Sequence, residues 1–238
     1  MTGSILPLNL RGATAKIRGK IIVGPVDLLI GTQGLTIVMG PNGSGKTTLL
    51  RMMHGLQRVS DGAVEWSMSD AVVRERQAYV FQTPIMMRRR VLDSIAFPLT
   101  LHGINKNTAR ARAQNWAERV GLGDALQRPA QVLSVGEKQK LSLARALIRK
   151  PEILFLDEPC ANLDGRATRE IETILRDAQA AGTRIVMATH DMGQARRLAS
   201  DVVFMYGGLV HETALAAVFF NQPQTPEATA FINGDIVE

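Results

Sequence analysis

Through roughly the first eighty residues, short apolar runs are punctuated by Gly, Pro and polar residues: "IIVGPVDLLI", "GLTIVMG", "GAVEWSM" and "QAYVFQ". Runs of this length between turn formers predict strands. From Pro84 to about Leu147 the period lengthens. In "NTARARAQNWAERVGL" the residues Ala113, Trp116, Ala117 and Val120 recur three and four apart, with Arg and Glu between them. That is the spacing of one buried helix face. "VLSVGEKQKLSLARAL", residues 132–147, keeps the helical rhythm behind a Ser-Val-Gly opening. Ser134 and Gly136 there predict a helix start that meets something anionic. Beyond it, "EILFL", "RATREIETILRDAQAAG", "TRIVMAT", "MGQARRLAS" and "DVVFMYGG" alternate strand and helix patterns. Such alternation predicts a parallel sheet with crossover helices. The expected architecture is one α/β domain over residues 1–238, with a mainly helical insertion at about 84–147.

The strongest chemical signal sits between two of these elements. "GPNGSGKTT", residues 40–48, has the spacing G-x-x-x-x-G-K-T with Gly40, Gly45, Lys46 and Thr47, and it joins the strand "LTIVM" to the helical "TTLLRMMHGL". A strand, this loop and a helix together predict a P-loop. Glycines let backbone N–H groups curl around phosphate oxygens, and the helix start adds partial positive charge. Lys46 reaches the β- and γ-phosphates of a nucleoside triphosphate, and the Thr47 hydroxyl is a Mg²⁺ ligand. The candidate nucleotide contacts are Gly40, Pro41, Asn42, Gly43, Ser44, Gly45, Lys46, Thr47 and Thr48. About 110 residues on, "ILFLDEP" predicts a buried strand with Asp157 and Glu158 at its carboxyl end, where α/β sheets place ligands. Asp157 is the natural partner of the metal ion. Glu158 is placed to polarise an attacking water.

With these two sites located, the helix opening at 132–147 resembles the signature motif of ATP-binding cassette (ABC) ATPases. The resemblance covers nearly the whole chain. Gln82 in "YVFQTP" matches the family's Q-loop glutamine, Asp164 in "CANLD" its D-loop aspartate, and His190 in "MATHD" its switch histidine. The resemblance implies a P-loop nucleotide-binding domain with an antiparallel β subdomain and a helical subdomain. It implies ATP and Mg²⁺, with Thr47, Gln82 and Asp157 serving the metal, Glu158 as general base, and His190 orienting the γ-phosphate and water. It also implies a head-to-tail homodimer in which Ser134, Gly136 and Asp164 of one copy complete the ATP site of the other. ATP then holds the copies together and hydrolysis releases them.

Two features depart from the family. Val135 and Glu137 stand where the usual signature has a glycine and a glutamine, yet Ser134 and Gly136 remain, so activity is expected to survive. No Phe, Tyr or Trp precedes Trp66, so the aromatic that stacks on adenine is missing. By position Ile17 or Arg18 takes its place.

Composition narrows the setting. The net charge of +6 describes a basic surface and is weak support for either nucleic acid or an anionic membrane as partner. The single cysteine, Cys160, excludes an internal disulfide and suits a reducing compartment. The start "MTGSILPLNLRG" lacks a signal-peptide pattern, and no apolar stretch approaches the ~18 residues of a membrane span. A transport pore is therefore expected on another polypeptide, with this chain peripheral at the cytoplasmic face of the inner membrane. In the family, a groove near the Q-loop receives a helix of that permease. Here "TPIMMRRR" offers adaptable Met86 and Met87 and cationic Arg88, Arg89 and Arg90; a turn with a solvated basic face is the other reading. "SIAFPLTLHG" and the tail "VFFNQPQTPEATAFINGDIVE" resemble importer cassettes, the tail those for oxyanions such as tungstate or molybdate. A solute-binding protein is the further implied partner. An exporter of lipid or lipoprotein, a soluble cassette protein and a slow nucleotide switch stand as alternatives.

Overall fold

The computed structural model describes residues 3–235. The chain opens with β1 (Leu8–Ile17), β2 (Lys20–Ile30), β3 (Leu35–Met39) and α1 (Lys46–His54). Next come β4 (Asp61–Trp66), α2 (Asp70–Arg76) and β5 (Gln77–Val80), then three helices, α3 (Val91–Leu101), α4 (Lys106–Arg119) and α5 (Val135–Leu147). From there β6 (Ile153–Asp157), α6 (Gly165–Ala180), β7 (Arg184–Ala188), α7 (Met192–Leu198) and β8 (Asp201–Tyr206) alternate. Strand β9 (Leu209–Leu215) and helices α8 (Ala216–Asn221) and α9 (Pro226–Asn233) follow.

Six strands form one sheet in the order β5-β6-β7-β3-β8-β9, parallel except for β9. The strands β3, β6 and β7 are buried at every position, as expected of a parallel sheet covered on both faces. Their alternating side chains still part cleanly. Val38, Phe155 and Val186 meet Leu49 and Leu50 of α1 and the antiparallel sheet β2-β1-β4. Ile37, Leu154 and Ile185 meet Ile171 and Leu175 of α6 on the other side. The helices α3–α5 join this second cluster through Ile95, Ala113, Ala117 and Leu141. The apolar stripe read along α4 is its packed face: Ala109, Ala113 and Ala117 are fully buried and Trp116 is half-buried.

Several elements carry no clear periodic signal. Strand β1 buries Leu8 and Leu10, then shifts phase at bulges on both sides of Ala13, so its alternation breaks in the middle. The short α2, β9, α8 and α9 likewise escape the pattern. Helix α9 is held from below by buried Glu212, whose Oε2 accepts from the Gln224 and Thr225 backbone N–H groups at 3.0 and 3.2 Å. Among the described residues no helix is long and apolar enough to cross a membrane.

Candidate active site

The P-loop leaves β3 at Gly40, whose φ of 143° and tight surroundings admit only glycine: a Cβ there would lie 2.0 Å from the Met205 carbonyl oxygen. Gly45, at φ 98°, begins α1 without any side-chain cap. The first N–H groups of α1 are thus left open to a ligand. Lys46 folds its ammonium over the loop, Nζ donating to the Gly40 and Pro41 carbonyls at 2.8 Å each. Burial lowers its pKa, against the opposing pull of Glu158 and Asp157. Ser44 Oγ is buried with no partner among the described residues. Strained glycines, open amides, a cation and an unpaired hydroxyl fit a polyphosphate.

At the end of β6, Asp157 is buried beneath the loop. Thr47 Oγ1 donates to its Oδ1 at 2.8 Å and Tyr79 Oη to its Oδ2 at 3.3 Å. Burial raises the Asp157 pKa, with the Thr47 hydrogen bond the main opposing influence. Glu158 follows at a left-handed φ of 45°, its N–H donating to the Ala188 carbonyl at 3.0 Å. That turn brings the side chain, only 17% exposed, beside the segments that follow β5 and β7. There Glu158 Oε2 accepts from Gln82 Nε2 at 3.4 Å and lies 3.1 Å from His190 Nδ1. Gln82 follows β5 and His190 follows β7, so the flanking strands of β6 supply the two neighbours. A hydroxyl, a carboxylate and an amide oxygen are hard donors that fit Mg²⁺ together with phosphate oxygens.

A cavity of about 750 Å³ joins these parts. Its walls include every residue proposed from the loop except the buried Ser44, together with Gln82, Glu158 and His190. They also include Ile22 of β2 and Phe231 of α9, which the sequence patterns do not announce. The proposed adenine neighbours Ile17 and Arg18 lie instead at the tip of the β1–β2 hairpin and do not line it. Ile22 sits one strand step inside that hairpin. Phe231, packed 5.4 Å from the Phe204 ring, arrives from nearly two hundred residues downstream of the loop.

Ser134, Gly136 and Asp164 stand apart from this cavity, near one another. A Cβ on Gly136 would lie 3.3 Å from Ala167 Cβ at the start of α6. Ser134 and Glu137 form a reciprocal capping box: Ser134 Oγ accepts from the Glu137 N–H at 3.3 Å, and Glu137 Oε2 from the Ser134 N–H at 2.8 Å. Arg128 Nη1 holds the other carboxylate oxygen at 2.9 Å. The Ser134 backbone bond, first, and Arg128 keep the Glu137 pKa below the usual range. Asp164 caps α6, Oδ1 accepting from the Arg166 and Ala167 N–H groups at 2.9 and 2.8 Å.

Two titratable groups near the site are spectators. His54 ends α1 under the edges of Tyr79 and Phe155, where burial brings its pKa down to about 4. Burial pushes the Cys160 thiol up to about 11, which leaves it unreactive at neutral pH.

The ABC transporter family model matches residues 23–161. A tungstate uptake system ATP-binding protein of Peptoclostridium acidaminophilum is 37% identical over 196 residues, covering 82% of this chain and 92% of that one. An Fe(3+) ions import ATP-binding protein of Streptomyces avermitilis is 34% identical, covering 97% of this chain and 68% of that one. Among solved structures, a dimeric ATP-binding cassette in a post-hydrolysis state with ADP and Pi superposes with TM-score 0.79 at 25% identity, covering 88% of this chain and 98% of that one.

Proposed function

The chain belongs to the ABC transporter family and is an ATPase, and on that premise we propose that it drives a separate membrane permease that imports a small solute. The observation that carries the chemistry is the convergence on Glu158: one carboxylate oxygen within reach of Gln82 and His190, beside Lys46 and above the Thr47–Asp157 pair.

The loop amides and Lys46 take the ATP phosphates, and their charge complementarity positions the γ-phosphate for attack. Thr47, Asp157 and Gln82 hold Mg²⁺, which neutralises charge on the phosphate oxygens when bound. Glu158 accepts the proton of the attacking water as the γ-phosphoryl group leaves ADP. His190 steadies that carboxylate and the water. The strained φ of Glu158 serves this reading, because an extended residue there would point elsewhere.

Ser134, Gly136 and Asp164 complete the site of a second copy. They lie outside their own chain's cavity, and the amides that open α5 face outward. ATP favours the paired state only through contacts that the open state lacks. Hydrolysis removes them.

A second cavity of about 760 Å³, lined by Arg88, Arg89, Arg90, Asp93, Lys106 and Arg110 among others, offers the permease a dock. Arg110 is held by Asp93 at 2.7 Å, and Arg89 lies over the Phe97 ring at 4.3 Å, so the groove is preformed and cationic. It suits a short segment bearing carboxylates. The similarity to an uptake protein for tungstate supports an oxyanion as cargo, with a solute-binding protein in the same system and this chain at the cytoplasmic face.

The test is an affinity pull-down of the Glu158→Gln form with ATP from solubilised membranes. Recovery of a multispanning protein together with a solute-binding protein supports import. Recovery of a multispanning protein alone supports transport without its direction, and soluble partners alone overturn the permease reading.

A further inference from the structure

Charge in this chain is segregated by region. Residues 84–150 hold 13 Lys and Arg against 4 Asp and Glu, a net +9, while the rest of the chain holds 15 against 18, a net −3. The mild overall excess therefore conceals an arm that is strongly basic on a body that is slightly acidic.

Two cavities gather much of that charge, and they meet at one place. The permease groove just described is lined by Ile104. So is another, of about 630 Å³, whose walls include Arg112, Trp116, Arg119, Arg149 and Lys150. Ile104 lies in the turn between α3 and α4, and Leu101, the last residue of α3, stands beside it 68% exposed. One exposed leucine thus stands at the turn whose half-buried Ile104 borders both basic cavities. Among the described residues Arg88, Lys106, Arg112 and Lys150 form no salt bridge.

We propose that the α3–α4 turn and the second basic cavity rest on the membrane surface beside the permease and hold anionic phospholipid headgroups. Clusters of Lys and Arg next to an exposed leucine suit the boundary between headgroups and acyl chains. The proposal rests on the permease reading for its placement, since the first cavity is the dock and the second continues past the same turn. Nucleic acid matches the charge less well. A single-stranded ligand stacks on free aromatic faces, whereas Trp116 is half-buried and covered by Arg119 at 4.5 Å. A protein carboxylate would fill the first cavity but has no use for the exposed Leu101.

The experiment sediments the full chain with phosphatidylcholine vesicles, with and without added phosphatidylglycerol. Binding to the anionic vesicles is expected to be roughly tenfold stronger or more, and to fall as salt is raised. The triple variant Arg112→Gln, Arg119→Gln, Lys150→Gln is expected to lose most of it, and Leu101→Ser part of it. ATP turnover in solution stays at the parent level in both, which reports an intact fold. Equal binding to both vesicle types overturns the proposal, as does an unchanged triple variant. Displacement from vesicles by duplex DNA at equal phosphate concentration also overturns it, in favour of nucleic acid. No permease is present in this assay, so its outcome is independent of the pull-down that tests the permease reading.

Discussion

The two helices proposed to meet phosphate, α1 and α5, begin in opposite ways. Helix α1 starts from Gly45 with no side-chain cap, so its first amides are free. Helix α5 starts from Ser134 inside a closed capping box, with Arg128 neutralising the carboxylate that completes it. The first end is a site in a single chain, because the glycine loop has already curled round the place where phosphates lie. The second is stable without any ligand. Its serine hydroxyl is occupied by the chain itself, and in the proposed dimer the phosphate of a second copy's nucleotide competes for it. On that proposal the difference teaches how one chain can carry a permanent nucleotide site and a conditional one at once.

The largest effect separates binding from chemistry. In Glu158→Gln both helix starts are intact, so nucleotide titration is expected to give the parent affinity while phosphate release falls about 10²–10⁴-fold, the usual worth of a positioned base. Loss of binding instead would mean that Glu158 shapes the phosphate cradle. Next in size, Ser134→Ala removes the cap of the conditional site at a cost of about 1 kcal/mol in stability. Turnover should drop roughly tenfold, the factor that about 1.4 kcal/mol of lost contact represents, with single-chain nucleotide affinity untouched. If dilute binding falls too, the two ends are not independent.

Helix α1 can also be probed from its other end. His54 titrates near 6.5 when unfolded and about 4 when folded, so between those values the unfolded chain binds more protons. Stability is therefore expected to decline as pH falls from about 6.5 towards about 4, and this part of the slope should vanish in His54→Gln, measured by urea unfolding across that window. An unchanged slope would place the titration elsewhere. The smallest effect belongs to Glu137→Gln. An amide still accepts from the Ser134 N–H but loses the Arg128 ion pair, a partly exposed contact worth about 0–1 kcal/mol. Thermal unfolding should shift by no more than a few degrees, and a larger loss would show that the charge, rather than the cap, secures α5.

The elements most legible in the sequence are those whose partners impose a strict period. Strands β3, β6 and β7 read as unbroken apolar runs because both faces are covered, one by α1 and the antiparallel sheet and the other by helices. Helix α4 reads clearly because its buried residues Ala109, Ala113 and Ala117 fall on one face at fourfold spacing. Strand β1 is obscured by its own bulges. The reciprocal cap at α5 is present in the letters S-V-G-E, a Ser three residues before a Glu. Seen only as a departure from a family pattern, Glu137 looks like a defect; its hydrogen bonds make it a structural part. Ile22 and Phe231 had no local signal, since neither residue's neighbourhood in the chain says that it borders the phosphate loop.

The sequence by itself determined the residue types proposed to handle phosphate and metal, and the family to which the chain belongs, because both depend on short spacings such as G-x-x-x-x-G-K-T. Tertiary structure decided the company those residues keep. Gln82, Glu158 and His190 are 76 and 32 residues apart, and they meet because β5, β6 and β7 lie side by side with their carboxyl ends together. The packing of α9 on β8 brings Phe231 to the nucleotide cavity, and the packing of α3 against α4 gathers scattered arginines about one turn. Local periodicity fixes which face of an element is buried. Which elements become neighbours is set by long-range packing, and a linear pattern carries no record of it.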